Sequence, residues 1–126
     1  MDFMQISIGT DIVTIRRFND IVNNEEYSFL QKNYSDNELD YCFSKENACS
    51  HLAGRFAGKE AVIKALYAYG LKPVAYKKIE ILNDENGVPK VWIKVKSYEK
   101  LKTEISISHC EDKAIAFAII YGVLEK

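Results

Sequence analysis

Near the N-terminus apolar and small or polar positions alternate, with Ile6, Ile8, Thr10 and Ile12 on one face and Ser7, Gly9, Asp11 and Val13 on the other. That is the period of a strand, and it carries Asp11. After Arg16 and Arg17 the pattern predicts two short helical stretches, the second opened by Ser35-Asp36-Asn37-Glu38, an S-x-x-E capping box. Residues 46–69 contain no proline, are rich in Ala, Leu and Lys, and place Leu52, Phe56, Ile63 and Leu66 at helical spacing, which predicts one long helix. Strands follow over 78–82 and 88–95, flanking Asp84-Glu85-Asn86-Gly87, whose Asn-Gly signals a hairpin because both residues tolerate positive φ. A short helix over 97–103 precedes two further strands, 104–109 and 114–122, joined by a tight connection at 110–112. This order predicts an α+β fold, an antiparallel sheet with a long helix packed on it, as a single domain over residues 1–126.

Composition agrees with a folded chain. With 126 residues, 48% of them hydrophobic and 28% charged, disorder is excluded. A chain of this length buries roughly 65% of its unfolded surface and needs neither disulfides nor a structural metal. The longest apolar run, 114–121, is too short to span a bilayer. The opening Met-Asp-Phe-Met-Gln lacks the basic flank of a secretory signal, so a cytoplasmic location is expected. Cys42, Cys49 and Cys110 are odd in number and show no C-x-x-C spacing, which fits a reducing compartment. With only His51 and His109 to join them, a zinc site is not expected. The net charge of −1 argues against nucleic acid as a partner, yet the charge is unevenly spread. Residues 1–44 hold three bases against eight acids, residues 45–102 twelve against six, and residues 103–126 two against four. The basic middle suits an anionic ligand, although interspersed charges also simply solvate helix and strand faces.

Several residues are candidates for chemistry. Glu60 follows Phe56 by four positions and precedes Ile63 by three, so it lies on or beside the apolar stripe of the long helix. Lys64 stands one turn on, and an i,i+4 ion pair between them is the plain structural reading. Asp11 shares its strand face with small residues that either admit a ligand or accept a crossing helix. If Asp11 and Glu60 face each other, they form an incomplete oxygen cage of the kind Mg²⁺ adopts when phosphates and waters complete its octahedron. Gly54 and Gly58 cost about 1 kcal/mol each relative to alanine inside a helix, and close packing against the sheet is the favoured reason. Arg55, Lys59 and Lys64 put three cations within three turns, able to receive a polyanion or to form a solvent-edge series. His109 ends a Ser-Ile-Ser-His strand at a turn, where it serves as a phosphate donor or as a structural residue.

Taken together, Ile8-Gly9-Thr10-Asp11-Ile12-Val13 with Arg17 six positions after the aspartate, Arg55-Phe56-Ala57-Gly58-Lys59-Glu60-Ala61, and Ser106-Ile107-Ser108-His109 before an alanine-rich strand resemble the holo-acyl-carrier-protein synthase group of the 4′-phosphopantetheinyl transferases. The resemblance runs from about residue 6 to residue 121 and includes Asn86-Gly87-Val88-Pro89. It implies Mg²⁺ held by Asp11 and Glu60, coenzyme A phosphates met by Lys64, a nucleotide site lined by Arg55 and His109, and Arg17 with Arg16 docking the acidic helix of an acyl carrier protein. It further implies a homotrimer with coenzyme A between subunits. The reaction implied is attack by a carrier serine on the β-phosphorus of coenzyme A, with release of 3′,5′-ADP and with Glu60 or a water at the metal taking the serine proton. Two departures stand out. Where the group has a glycine-rich turn near the phosphates, this chain reads Ala65-Leu66-Tyr67-Ala68-Tyr69-Gly70, which implies a loop of another shape or more helix. Lys113 stands where an aromatic residue usually precedes the alanines. The first departure leaves a non-catalytic carrier- or coenzyme A-binding module as the alternative.

Overall fold

The fold is described from a computed structural model over residues 4–122; residues 1–3, part of the stretch read for a secretory signal, lie outside it. The expected first strand is β1 (Gln5–Thr14). It pairs antiparallel with β5 (Lys113–Gly122), which pairs in turn with β4 (Lys102–His109), giving a three-stranded sheet in the order β1-β5-β4. The hairpin strands β2 (Ile79–Asn83) and β3 (Pro89–Ile93) form a second, two-stranded sheet instead of extending the first. Periodicity identifies strands but carries no information about which ones become neighbours.

Three helices, not two, separate β1 from the long helix: α1 (Ile15–Asn23), α2 (Tyr27–Asn33) and α3 (Asp36–Phe43). Arg16 and Arg17 lie inside the first turn of α1 and do not precede it. No side chain caps α1 at Thr14; its start is set by a long-range bond from the Ile15 N–H to the Asp112 carbonyl at 3.0 Å, which local sequence cannot announce. The capping box of α3 forms as expected, with the Glu38 N–H 3.2 Å from Ser35 Oγ and the Ser35 N–H 2.9 Å from Glu38 Oε1.

The long helix, α4 (Ala48–Tyr69), is the centre of the molecule. Residues 52–59 are all buried, because the three-stranded sheet covers one side while α1, α3 and β2 cover others. Small residues let the layers close. A Cβ on Gly9 would lie 2.0 Å from the Ala61 carbonyl oxygen, and Ser7 Oγ donates to the Ala65 carbonyl at 2.7 Å, so the small face of β1 accepts the crossing helix. A Cβ on Gly58 would come within 2.7 Å of Ile81 Cδ1 and 2.8 Å of Ile105 Cδ1. Sheet packing over a smooth helix face thus accounts for the glycine. α4 runs through Tyr67 and Tyr69 and stops at Gly70, whose φ of 94° is left-handed and whose following residue, Leu71, donates back to Leu66 at 2.9 Å. The glycine-poor stretch is therefore further helix.

Two details of the later chain differ from expectation. Gly87 alone in its turn has positive φ, at 79°, while Asn86 does not. The turn is built on Asp84, whose carboxylate accepts the Asn86 and Val88 N–H groups at 2.8 and 3.0 Å. The short helix expected over 97–103 is a single 3₁₀ turn, Lys96–Tyr98, since the chain is already extended again by Lys102.

Candidate active site

Asp11 comes from the helix-facing side of β1, just beyond the close approach at Gly9, and so lies beside the second half of α4. Its Oδ1 is 3.2 Å from Lys64 Nζ. Glu60, half-buried on α4, accepts a hydrogen bond from the Tyr76 hydroxyl. The plain i,i+4 pair between Glu60 and Lys64 is therefore not the one that forms, because each has a tertiary partner instead. Burial, the hydrogen bond to Glu60, and the charges of Glu60 and Asp11 together push the Tyr76 phenol up to about 12, against an opposing effect of Arg17. Both carboxylates and Arg17 are thus within electrostatic reach of one phenol. The donor set is two carboxylates with no histidine or cysteine, and among the described residues no group of three such ligands exists. Hard oxygen donors in that number fit Mg²⁺, which retains waters and takes substrate phosphates, and do not fit a closed protein cage.

A second cluster lies toward the N-terminal half of α4. Arg55 and His109 line one cleft together with Ser50, His51, Gly54 and Asn83. Arg55 is buried, contrary to a solvent-edge reading; its guanidinium lies 4.3 Å from the Tyr41 ring centroid and Nη2 donates to Asn83 Oδ1 at 2.8 Å. Its Nε is buried and has no hydrogen-bond partner among the described residues. Burial and then the charges of Arg55, Lys45 and His109 lower the His51 pKa, leaving that ring neutral at pH 7. The cleft's volume of about 170 Å³ is below the roughly 300–1,000 Å³ of a complete small-molecule site.

Lys59 does not belong with the cations that face a ligand. It is fully buried, ion-paired with Glu38 at 2.7 Å, and donates to the carbonyls of Tyr76 (2.8 Å) and Ile79. Glu38 in turn accepts the Ile81 N–H at 2.9 Å. Burial lowers the Lys59 pKa while Glu38 holds it up. The pair ties α3, α4 and β2 together.

Arg16 and Arg17 are exposed on α1, and the Arg17 guanidinium lies over the rings of Phe56, Phe29 and Phe18 at 4.9, 5.6 and 5.7 Å. Its charge is consequently held near the Asp11–Glu60 end of the molecule. Sequence reasoning missed Tyr76 and Asn83, isolated polar groups whose partners lie 16 and 28 positions away and which stand in no periodic pattern. For Glu38 the capping box gave the local role but not Lys59.

Comparison with known proteins identifies the family. Residues 7–118 match the model of the 4′-phosphopantetheinyl transferase superfamily. The holo-acyl-carrier-protein synthase of Protochlamydia amoebophila is 40% identical over 119 residues, spanning 92% of this chain and 98% of its own. That of Thermodesulfovibrio yellowstonii is 42% identical over 113 residues, spanning 90% and 96%. Among solved structures, the Bacillus anthracis synthase in complex with coenzyme A (3′,5′-ADP) superposes with a TM-score of 0.77 at 26% identity, covering 94% of this chain and 98% of its own. The Helicobacter pylori synthase in complex with coenzyme A gives 0.76 at 31% identity, covering 90% and 98%. With its sequence matched almost end to end and its fold shared, the chain belongs to the 4′-phosphopantetheinyl transferase superfamily, in its holo-acyl-carrier-protein synthase group.

Proposed function

We propose that this chain, as one domain, transfers 4′-phosphopantetheine from coenzyme A to a serine of an apo acyl carrier protein and releases 3′,5′-ADP. The observation that carries the reading is that Asp11 on β1 pairs with Lys64 on α4, while the charges of both Asp11 and Glu60 act on the one phenol of Tyr76 that donates to Glu60. In the reaction a bond forms from the serine oxygen to the β-phosphorus, the pyrophosphate P–O bond on its far side breaks, and the serine proton leaves to a base. Asp11 and Glu60 hold Mg²⁺, which when bound neutralises charge on the pyrophosphate. Lys64 has a side chain 54% exposed, tethered among the described residues only to Asp11, and supplies a cation to the same phosphates. The base for the serine proton is Glu60 or a water held at the metal. Positioning and electrostatics of this kind make up most of phosphoryl-transfer catalysis.

Arg55 and His109 bind the nucleotide end in the second cleft, where the guanidinium of Arg55 supplies the charge. Arg17, with Arg16, docks the carrier. A homotrimer with shared sites is supported by two features. The cleft is small for coenzyme A, and the sheet face turned away from α4 exposes Ile6, Ile8, Ile12, Ile115 and Phe117, with Ile8 opposite Ile119 and Ile12 opposite Ile115 across the strands. Contiguous exposed apolar surface of this kind marks an interaction face. No helix among the described residues is long and apolar enough to cross a membrane.

The test is chromatographic detection of 3′,5′-ADP from coenzyme A, Mg²⁺ and apo carrier. Asp11→Ala and Glu60→Ala should each abolish release while retaining the folded circular dichroism spectrum. Undiminished release by both variants would refute the site.

A further inference from the structure

The 3₁₀ turn that leads into β2 brings one more group to the acids. Tyr76 donates from its hydroxyl to Glu60 Oε1, whereas Oε2 accepts no hydrogen bond from any described residue. The phenol is itself firmly placed. Its ring packs 5.4 Å from that of Phe56 at 58°, and its backbone carbonyl accepts from Lys59 Nζ at 2.8 Å. Lys59 is locked in turn by Glu38 at 2.7 Å, with both side chains wholly buried. A rigid chain of contacts therefore runs from α3 through α4 to the 3₁₀ turn and ends on one oxygen of Glu60.

A glutamate side chain rotates about three bonds, and rotation about the last, Cγ–Cδ, turns the carboxylate plane away from a ligand. A donor fixed on one oxygen removes that freedom, and such outer contacts orient metal ligands generally. We propose that Tyr76 is a positioning residue: its hydroxyl holds the plane of the Glu60 carboxylate so that the second oxygen is presented to the divalent cation. This inference rests on the assignment of Asp11 and Glu60 as metal ligands.

Tyr76→Phe removes the hydroxyl alone and keeps the ring against Phe56 and the carbonyl on Lys59. Binding of Mn²⁺ to the whole chain, with neither coenzyme A nor carrier present, can be followed by the electron paramagnetic resonance signal of the free ion. Tyr76→Phe should weaken Mn²⁺ binding about tenfold, the lower end of the effect typical of such outer contacts. In turnover the half-saturating Mg²⁺ concentration should rise by a similar factor while KM for the carrier stays unchanged, a split that a purely structural role would not produce. Mn²⁺ affinity within twofold of the parent chain, with Asp11→Asn showing a large loss, overturns the role of Tyr76 and leaves the metal site standing. Mn²⁺ affinity unchanged in Asp11→Asn and Glu60→Gln alike overturns the metal site, and the inference with it.

Discussion

Lys64 Nζ lies 3.2 Å from Asp11 Oδ1, a pairing across 53 positions of sequence that takes the lysine away from Glu60, its neighbour one turn back on α4. The pair leaves Glu60 to Tyr76 and keeps a cation beside the strand carboxylate. Because the lysine is more than half exposed, solvent screens the contact, and it contributes no more than about 1 kcal/mol to stability. Lys64→Ala should therefore leave the urea midpoint nearly unchanged yet lower kcat/KM for coenzyme A by at least tenfold. A large loss of stability with intact turnover would show that the pair is structural.

Glu38 and Lys59 make the opposite case. Both are wholly buried, and removing one partner leaves an uncompensated charge in the interior, which costs roughly 3–5 kcal/mol. Lys59→Met and Glu38→Gln should each lower the urea midpoint strongly, and the double variant should lose less than the sum. Additive losses in this double-mutant cycle would show that the two are not coupled.

The two pairs also mark how much was legible from the residues. β1, α3, α4 and the two C-terminal strands follow from period and capping, because those signals are local. The start of α1 depends on the Asp112 carbonyl, and the partners of Lys59, Tyr76 and Arg55 depend on where the β2–β3 hairpin lands. Such contacts are fixed by tertiary packing and leave no period. Glu60 stood out as an acid on or beside an apolar stripe and Asp11 as an acid among small residues on a strand face; Tyr76 did not, since an isolated tyrosine in a connection carries no pattern.

Gly9 and Gly70 separate two reasons for glycine. At Gly9 a methyl group would sit 2.0 Å from the Ala61 carbonyl oxygen, so Gly9→Ala should push β1 off α4, displace Asp11 and abolish both cooperative unfolding and activity. At Gly70 no atom of the described residues lies within 4 Å of an added Cβ, and only the φ of 94° is strained. Gly70→Ala should cost about 1–2 kcal/mol, read from urea denaturation, with activity retained.

Arg17 carries both charge and packing. Arg17→Glu should weaken carrier binding strongly and make the remainder less sensitive to salt, as an attractive long-range interaction is lost. Arg17→Lys should keep the salt dependence but lose affinity, since an ammonium cannot spread over three rings as a guanidinium does. Coenzyme A affinity, measured by calorimetry, should be unchanged in both. Equal losses toward carrier and coenzyme A would remove Arg17 from the docking surface.

Glu80 sets an acid limit on stability. Burial alone would raise its pKa, but hydrogen bonds from Ser35 and Asn37 and the hydrogen bond and charge of Lys94 hold it below the usual 4.5. A carboxyl depressed in the folded state stabilises at pH values above its unfolded pKa, and that contribution is lost as pH falls through the folded value. Stability should therefore decline on acidification below about pH 4.5, and Glu80→Gln should flatten that decline while lowering stability at pH 7. An unaltered acid limb in thermal melts of Glu80→Gln would assign the decline elsewhere.

The central claim is a covalent one, and the intact mass of the carrier reads it directly. Apo acyl carrier protein incubated with this chain, coenzyme A and Mg²⁺ should gain the mass of a single phosphopantetheine, and should gain nothing when Mg²⁺ is chelated or when Glu60→Ala replaces the parent chain. A carrier that binds the chain yet keeps its apo mass at saturating coenzyme A and Mg²⁺ would contradict the account.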